Sequence, residues 1–156
     1  MNPCLAISGL PVGRKTPTHQ EICAFQNFLS KFPQLELDIR HHHSEGQYVR
    51  EMRIPKDAYV IGKEHKTRHL NILAKGKITI WSVQGRLDLC ADKGPVIYES
   101  PAGVKKVGYA HEDCVWLTLH PTDEVDQDRL EFQFIRSEEQ LPLFPETDQL
   151  YLGGKV

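Results

Sequence analysis

The sequence predicts an all-β domain, a sandwich or barrel, led by one amphipathic helix. Two observations predict it. Between Tyr48 and His120 short apolar stretches recur at intervals of roughly ten residues, separated by Gly and Pro, as strands and turns do. Ahead of them the spacing is helical instead: Ile22, Phe25, Phe28 and Leu29 fall on one face. With 156 residues, 40% of them hydrophobic, the chain is long enough to bury a core of its own.

Residues 1 to 17 hold Pro3, Gly9, Pro11, Gly13 and Pro17 and read as an irregular arm. Thr18-His-Gln-Glu21 has the form of a capping box, in which hydroxyl and carboxylate each satisfy the other residue's amide. The helix it starts is expected over residues 19 to 31, with Pro33 as its stop. Residues 34 to 47, including His41-His42-His43, read as a polar, solvated loop. Neighbouring side chains on an extended chain point in opposite directions and do not converge on one ion.

Strands are then expected at 48–54, 58–62, 69–73, 77–81, 86–90, 95–99, 105–110 and 114–120. Lys75-Gly76 should turn one hairpin. Thr122 to Asp128 reads as an acidic turn or short helix with Thr122 as its cap, and Leu130 to Ile135 fits a strand or a helix end. The tail carries Leu141, Leu143, Phe144, Leu150, Tyr151 and Leu152, too apolar for disorder, so it should pack on the barrel or on a second subunit. The expected organisation is therefore an arm, helix and loop over 1–47, a β-domain over 48–136 and a tail over 137–156.

Composition excludes several functions. A net charge of −2 with mixed signs leaves no basic footprint for nucleic acid. No apolar run approaches the ~20 residues that span a bilayer, and Met1 to Leu10 lacks the pattern of a signal peptide. Cys4, Cys23, Cys90 and Cys114 form no C-x-x-C pair and read as reduced thiols in a cytoplasmic protein. Walker loop, dinucleotide fingerprint and nucleophile elbow are all missing from the sequence.

The chemistry-bearing stretch is Gly62-Lys-Glu-His-Lys-Thr-Arg-His69. His65 and His69, four apart, share a side on a strand, and His120 ends a strand whose even positions Trp116, Thr118 and His120 share a face. His65-Lys-Thr67 and His120-Pro-Thr122 are two His-x-Thr units. Paired units of that form resemble those of two-histidine phosphoesterases. That likeness implies an enzyme in which His65 and His120 exchange protons while Thr67 and Thr122 hold phosphate.

The order of turns around these histidines resembles the cupin superfamily over about residues 48 to 120. Gly62, His65, His69 and Gly76 fall along its first motif, and Pro101-Ala-Gly103 matches the start of its second. Three positions depart from it. Lys63 stands for the first His of the His-x-His pair, His69 falls near the Glu, and Lys106 stands where the second motif has His. The phrases Tyr48-Val-Arg-Glu-Met-Arg-Ile-Pro55, His65-Lys-Thr-Arg-His-Leu-Asn71 and Val107-Gly-Tyr-Ala-His-Glu-Asp113 are similar to small cupin-type proteins of tailed bacteriophages.

The resemblance implies a jelly-roll β-barrel in which His65, His69 and His120 converge. Neutral imidazole is a ligand for zinc, iron, manganese or nickel, so a divalent metal is one implied cofactor. His111 and Glu112, at a turn, are candidates to join as ligand-binding groups. An inward Lys106, with Arg50 and Lys63, would make the pocket cationic and suit a small anionic molecule such as a nucleotide or host signal. Cupins commonly dimerise, so a homodimer is expected. A structural part of a virion is a further alternative.

Overall fold

The computed structural model describes residues 16–136. The irregular arm before Thr16, Cys4 within it, and the apolar tail after Arg136 lie outside the described residues.

Helix α1, His19–Leu29, begins at the predicted capping box. Thr18 Oγ1 accepts from the Glu21 amide at 3.2 Å, and the Thr18 amide donates back to Glu21 Oε2 at 2.7 Å. Its buried Ile22 and Phe25 pack on Ile61, Trp81 and Val107. The helical stripe is therefore a cover on a sheet, each buried side chain stabilising by roughly 1.5–3 kcal/mol.

Among the described residues nine strands follow: β1 Asp38–Ser44, β2 Gln47–Ile54, β3 Tyr59–Ile61, β4 His69–Lys75, β5 Lys77–Ser82, β6 Gly85–Cys90, β7 Val96–Ser100, β8 Lys106–Ala110 and β9 Cys114–His120. They form a five-stranded sheet in the order β1-β2-β9-β4-β7 and a four-stranded sheet in the order β3-β8-β5-β6. All pairings are antiparallel. The expected all-β jelly-roll class is what is found. The core between the sheets takes Ile54, Leu73, Cys114 and Trp116 from the first, and Ile78, Ile80, Leu89 and Ala110 from the second.

Two segments differ from the sequence expectation. Residues 38–44 are not a loop but strand β1, paired along its length with β2 through a turn at Glu45-Gly46, where Gly46 has φ 71°. The histidines do alternate as extended neighbours must. His41 and His43 stack on Tyr48, while His42 reaches Glu51 at 2.8 Å on the other face. An edge strand leaves much of its surface in water, so it needs no apolar alternation, which is why polarity misled. The boundary at residue 47 thus falls inside a hairpin.

Residues 127–134 settle the other ambiguity as helix α2, Gln127–Phe134. Its cap is Asp126, accepting from the Arg129 amide at 3.0 Å, rather than Thr122, whose hydroxyl accepts from the Glu124 amide within a turn. Leu130 and Phe134, one helical turn apart, are buried against Tyr48.

At the β4–β5 hairpin Gly76 has φ 90°, and a Cβ there would lie 2.4 Å from the Asp113 carbonyl oxygen. Only glycine fits such a place. Cys90 and Cys114 are free thiols, and burial pushes the Cys114 thiol up to about 11.

Candidate ligand pocket

The inner face of the five-stranded sheet is ordered in rows set by register. The first runs His43, Tyr48, His120, with His69 beside His120 and Ser100 beyond it. The second runs His41, Arg50, Thr118, Asn71, Tyr98, and the third Ile39, Met52, Trp116, Leu73, Val96. The first row is therefore imidazole and hydroxyl, the second holds the Arg50 cation among hydrogen-bonding groups, and the third is mainly hydrocarbon. Val60, Ile78, Ile80, Lys106 and Gly108 face these rows from the other sheet, and a cavity of about 550 Å³ lies between. That is ample for a small organic molecule.

The predicted histidines meet. Ring centroids are 4.0 Å apart for His65 and His69, 5.2 Å for His65 and His120, and 5.4 Å for His69 and His120. Burial lowers all three. It brings His65 to about 2 and His120 to about 4, helped by the neighbouring imidazoles and by Arg50. All three are neutral at pH 7. His69 Nδ1 donates to the Thr67 carbonyl at 3.0 Å, which leaves Nε2 as the lone-pair nitrogen. Buried His65 Nδ1, His69 Nε2 and His120 Nδ1 find no partner among the described residues.

These atoms have the donor chemistry of a metal site, and the Thr67 carbonyl provides the outer hydrogen bond such a ligand uses. Their present placement does not converge. Among the described residues no group of three or more His, Cys, Asp or Glu side chains is positioned to hold an ion.

Arg50 and Lys106 both line the cavity. Lys106 donates to Ser100 Oγ and lies over the Tyr98 ring at 5.5 Å, and burial lowers its amine to about 8. Neither cation is ion-paired among the described residues. Between them Asn71 is 1% exposed, and its Oδ1 accepts from Trp116 Nε1 (3.2 Å) and Thr118 Oγ1 (3.1 Å). That pair fixes the amide, so Nδ2 is a buried donor without a partner among the described residues.

Other candidates are placed elsewhere. Lys63 reaches the rim and pairs with Glu131 of α2. His111 bonds Thr79 Oγ1 at 2.7 Å, and Glu112 pairs with Lys77 at 3.0 Å, both away from the cavity lining. Thr67 is exposed, and the Thr122 hydroxyl donates to Gln133 at 3.2 Å; neither hydroxyl lines the cavity. A paired His-x-Thr mechanism needs those hydroxyls beside the imidazoles, and the structure does not bring them there.

Tyr48, Asn71, Thr118 and Phe134 were not singled out in the sequence. The first three were within reach of it, since Tyr48 alternates with Arg50, Asn71 with His69, and Thr118 with His120. Phe134 stacks on His120 at 4.1 Å because the end of α2 is fastened to the loop before β4. Lys66 N donates to Phe134 O and Arg136 N to Glu64 O, both at 2.8 Å. Arg136 Nη1 reaches the buried Glu64 Oε1 at 2.6 Å. Contacts of that sequence separation leave no local pattern.

No family model matches this chain, and no curated protein matches it. Among solved structures, it is similar to a cupin superfamily protein from Desulfitobacterium hafniense DCB-2, with 12% identity and a TM-score of 0.47, covering 70% of this chain and 97% of that one. A cupin-2 domain containing protein from Shewanella frigidimarina shows 19% identity and a TM-score of 0.45, covering 63% and 92%. A cupin domain from Bordetella pertussis shows 17% and 0.44, covering 58% and 98%. Likeness at this level says nothing of chemistry.

Proposed function

We propose that this protein binds a small anionic organic molecule between its two sheets. The observation that carries this reading is the pair of cations, Arg50 and Lys106, lining a cavity in which neither has an ion-pair partner among the described residues. A guanidinium offers two parallel N–H bonds to a carboxylate or phosphate, and low local dielectric strengthens them. Asn71 Nδ2 supplies a further donor. The protein acts, in this reading, as a cytoplasmic homodimer that captures a host metabolite or nucleotide signal in a phage-infected cell. The resemblance of its strand phrases to small phage proteins supports that setting.

A thermal-shift screen of organic acids, sugar phosphates and nucleotides tests the pocket, with Arg50→Met and Lys106→Met as controls. Ligands that raise the melting temperature of the parent chain should lose most of that effect in either variant. An effect unchanged in both variants would remove the reading. Sedimentation velocity tests the dimer.

A second reading is favoured by the three partnerless nitrogens of His65, His69 and His120. A divalent ion held there would supply Lewis acidity next to the anion, provided the three rings turn until those nitrogens face one point. Metal analysis of untagged protein, with melting followed on addition of zinc, nickel, manganese or iron, decides it. An empty protein that added metal does not stabilise excludes it.

A further inference from the structure

Resting on the anion-pocket reading, we infer that the ligand is an amphipathic monocarboxylate, its carboxylate on Arg50, Asn71 and Lys106 and its hydrocarbon leaving the cavity along Leu37 and Leu35. The rows give the direction. The Arg50 row has the imidazoles on one side and the Met52–Trp116–Leu73 row on the other. A headgroup in the Arg50 row therefore has hydrocarbon below it and polar rings above.

The route out is also apolar. Leu35, Leu37, Ile39 and His41 all line the cavity at alternate positions, as one face of an extended chain does. His41 pairs with Arg50 and Ile39 with Met52, so Leu37 and Leu35 continue past the apolar row, away from the imidazoles. His41 at its start is exposed, and along the apolar positions exposure rises from half-buried Ile39 and Leu37 to Leu35 at 63%. A hydrocarbon strip that starts at a charged row and ends in solvent is complementary to a molecule with one charged end. Ile39 and His41 lie in β1, and Leu37 and Leu35 lie in the segment just before it.

The headgroup is better matched by a carboxylate than by a larger anion. The planar guanidinium fork and the single Asn71 amide meet two in-plane oxygens. A nucleotide would set a polar sugar and further charge against Met52, Trp116, Ile78 and Ile80, where no hydrogen-bonding group answers them.

Isothermal titration of the full chain with hexanoate, decanoate, decanol, decyl phosphate and a nucleoside monophosphate tests the class, all below micellar concentrations. Decanoate should bind more tightly than hexanoate, and decanol at least roughly tenfold more weakly than decanoate. Arg50→Met should weaken decanoate by roughly tenfold or more, and so should Leu37→Glu at its half-buried position. Circular dichroism of both variants controls for folding. Decanoate binding unaffected by Arg50→Met would overturn the inference, as would decyl phosphate exceeding decanoate. Nucleotide binding that depends on Arg50, without decanoate binding, would overturn the inference and leave the anion pocket standing. No binding of any probe that depends on Arg50 would overturn both.

Discussion

Burial lowers Lys106 and the three histidines alike, yet at pH 7 it leaves the amine charged and the imidazoles neutral, and pH acts on them with opposite consequences. Ligand capture needs the protonated amine of Lys106, which titrates at about 8. Anion affinity is therefore expected to fall as pH rises from 7 to 9, and to fall less in Lys106→Met, read by titration at a series of pH values. Stability changes at the other end of the scale. His65 and His120 titrate at about 2 and about 4 in the folded chain and near 6.5 when unfolded. Below pH 6.5 the unfolded state binds more protons, so stability falls as pH drops, by about 1.4 kcal/mol per pH unit for each neutral imidazole. Urea midpoints at pH 7.5 and pH 5 should show a loss of a few kcal/mol, smaller in His120→Asn. At this scale the sequence was informative where period-two alternation applied. Arg50 and His120 face inward because Tyr48, Met52, Trp116 and Thr118 do. The placement of His111 and Glu112 was not legible, because a turn has no period to follow.

Strands and helices were legible wherever local chemistry decided them. The capping box at Thr18 and the strand at Cys114–His120 match their expected starts because each carries its own local signal, a hydroxyl three residues before a carboxylate and a strict period of two. Strand β1 was hidden because its identity comes from pairing with β2 rather than from its own composition. Helix α2 was ambiguous because Leu130 and Phe134 meet their partner, Tyr48, from a remote part of the chain. The β4–β5 hairpin gives a sharp test. Gly76→Ala places a methyl on the Asp113 carbonyl and demands a left-handed backbone, and is expected to cost about 3 kcal/mol or more in urea unfolding. Alanine at Gly94, also at positive φ but with nothing near the added Cβ, should cost only the backbone strain, about 1–3 kcal/mol, and less than Gly76→Ala.

Across the whole molecule, the site exists because three separated parts of the chain close on it: the sheet rows, the loop before β4 and the end of α2. The Arg136–Glu64 pair, 72 residues apart in sequence, locks that closure. Arg136→Ala leaves the Glu64 carboxylate, 4% exposed, without its cation. A loss of about 2 kcal/mol is expected after allowance for the half-exposed guanidinium. Hydrogen exchange should show the Lys66 and Ile135 amides losing protection first, while β5 and β8 keep theirs. Uniform loss across all strands would instead mean that α2 is not a separable cover.

Strand order carries a further consequence, for synthesis. Strand β9 lies in the middle of the larger sheet, between β2 and β4, and contributes Trp116, Thr118 and His120 to all three rows. Among the described residues it is also the last strand to leave the ribosome. Until it does, β2 and β4 each present an unpaired edge, although β1–β2, β4–β7 and the whole smaller sheet can already pair. The nascent chain therefore carries two open edges from the completion of β4 until β9 arrives, and the pocket is completed late, when β9 inserts and α2 closes over it.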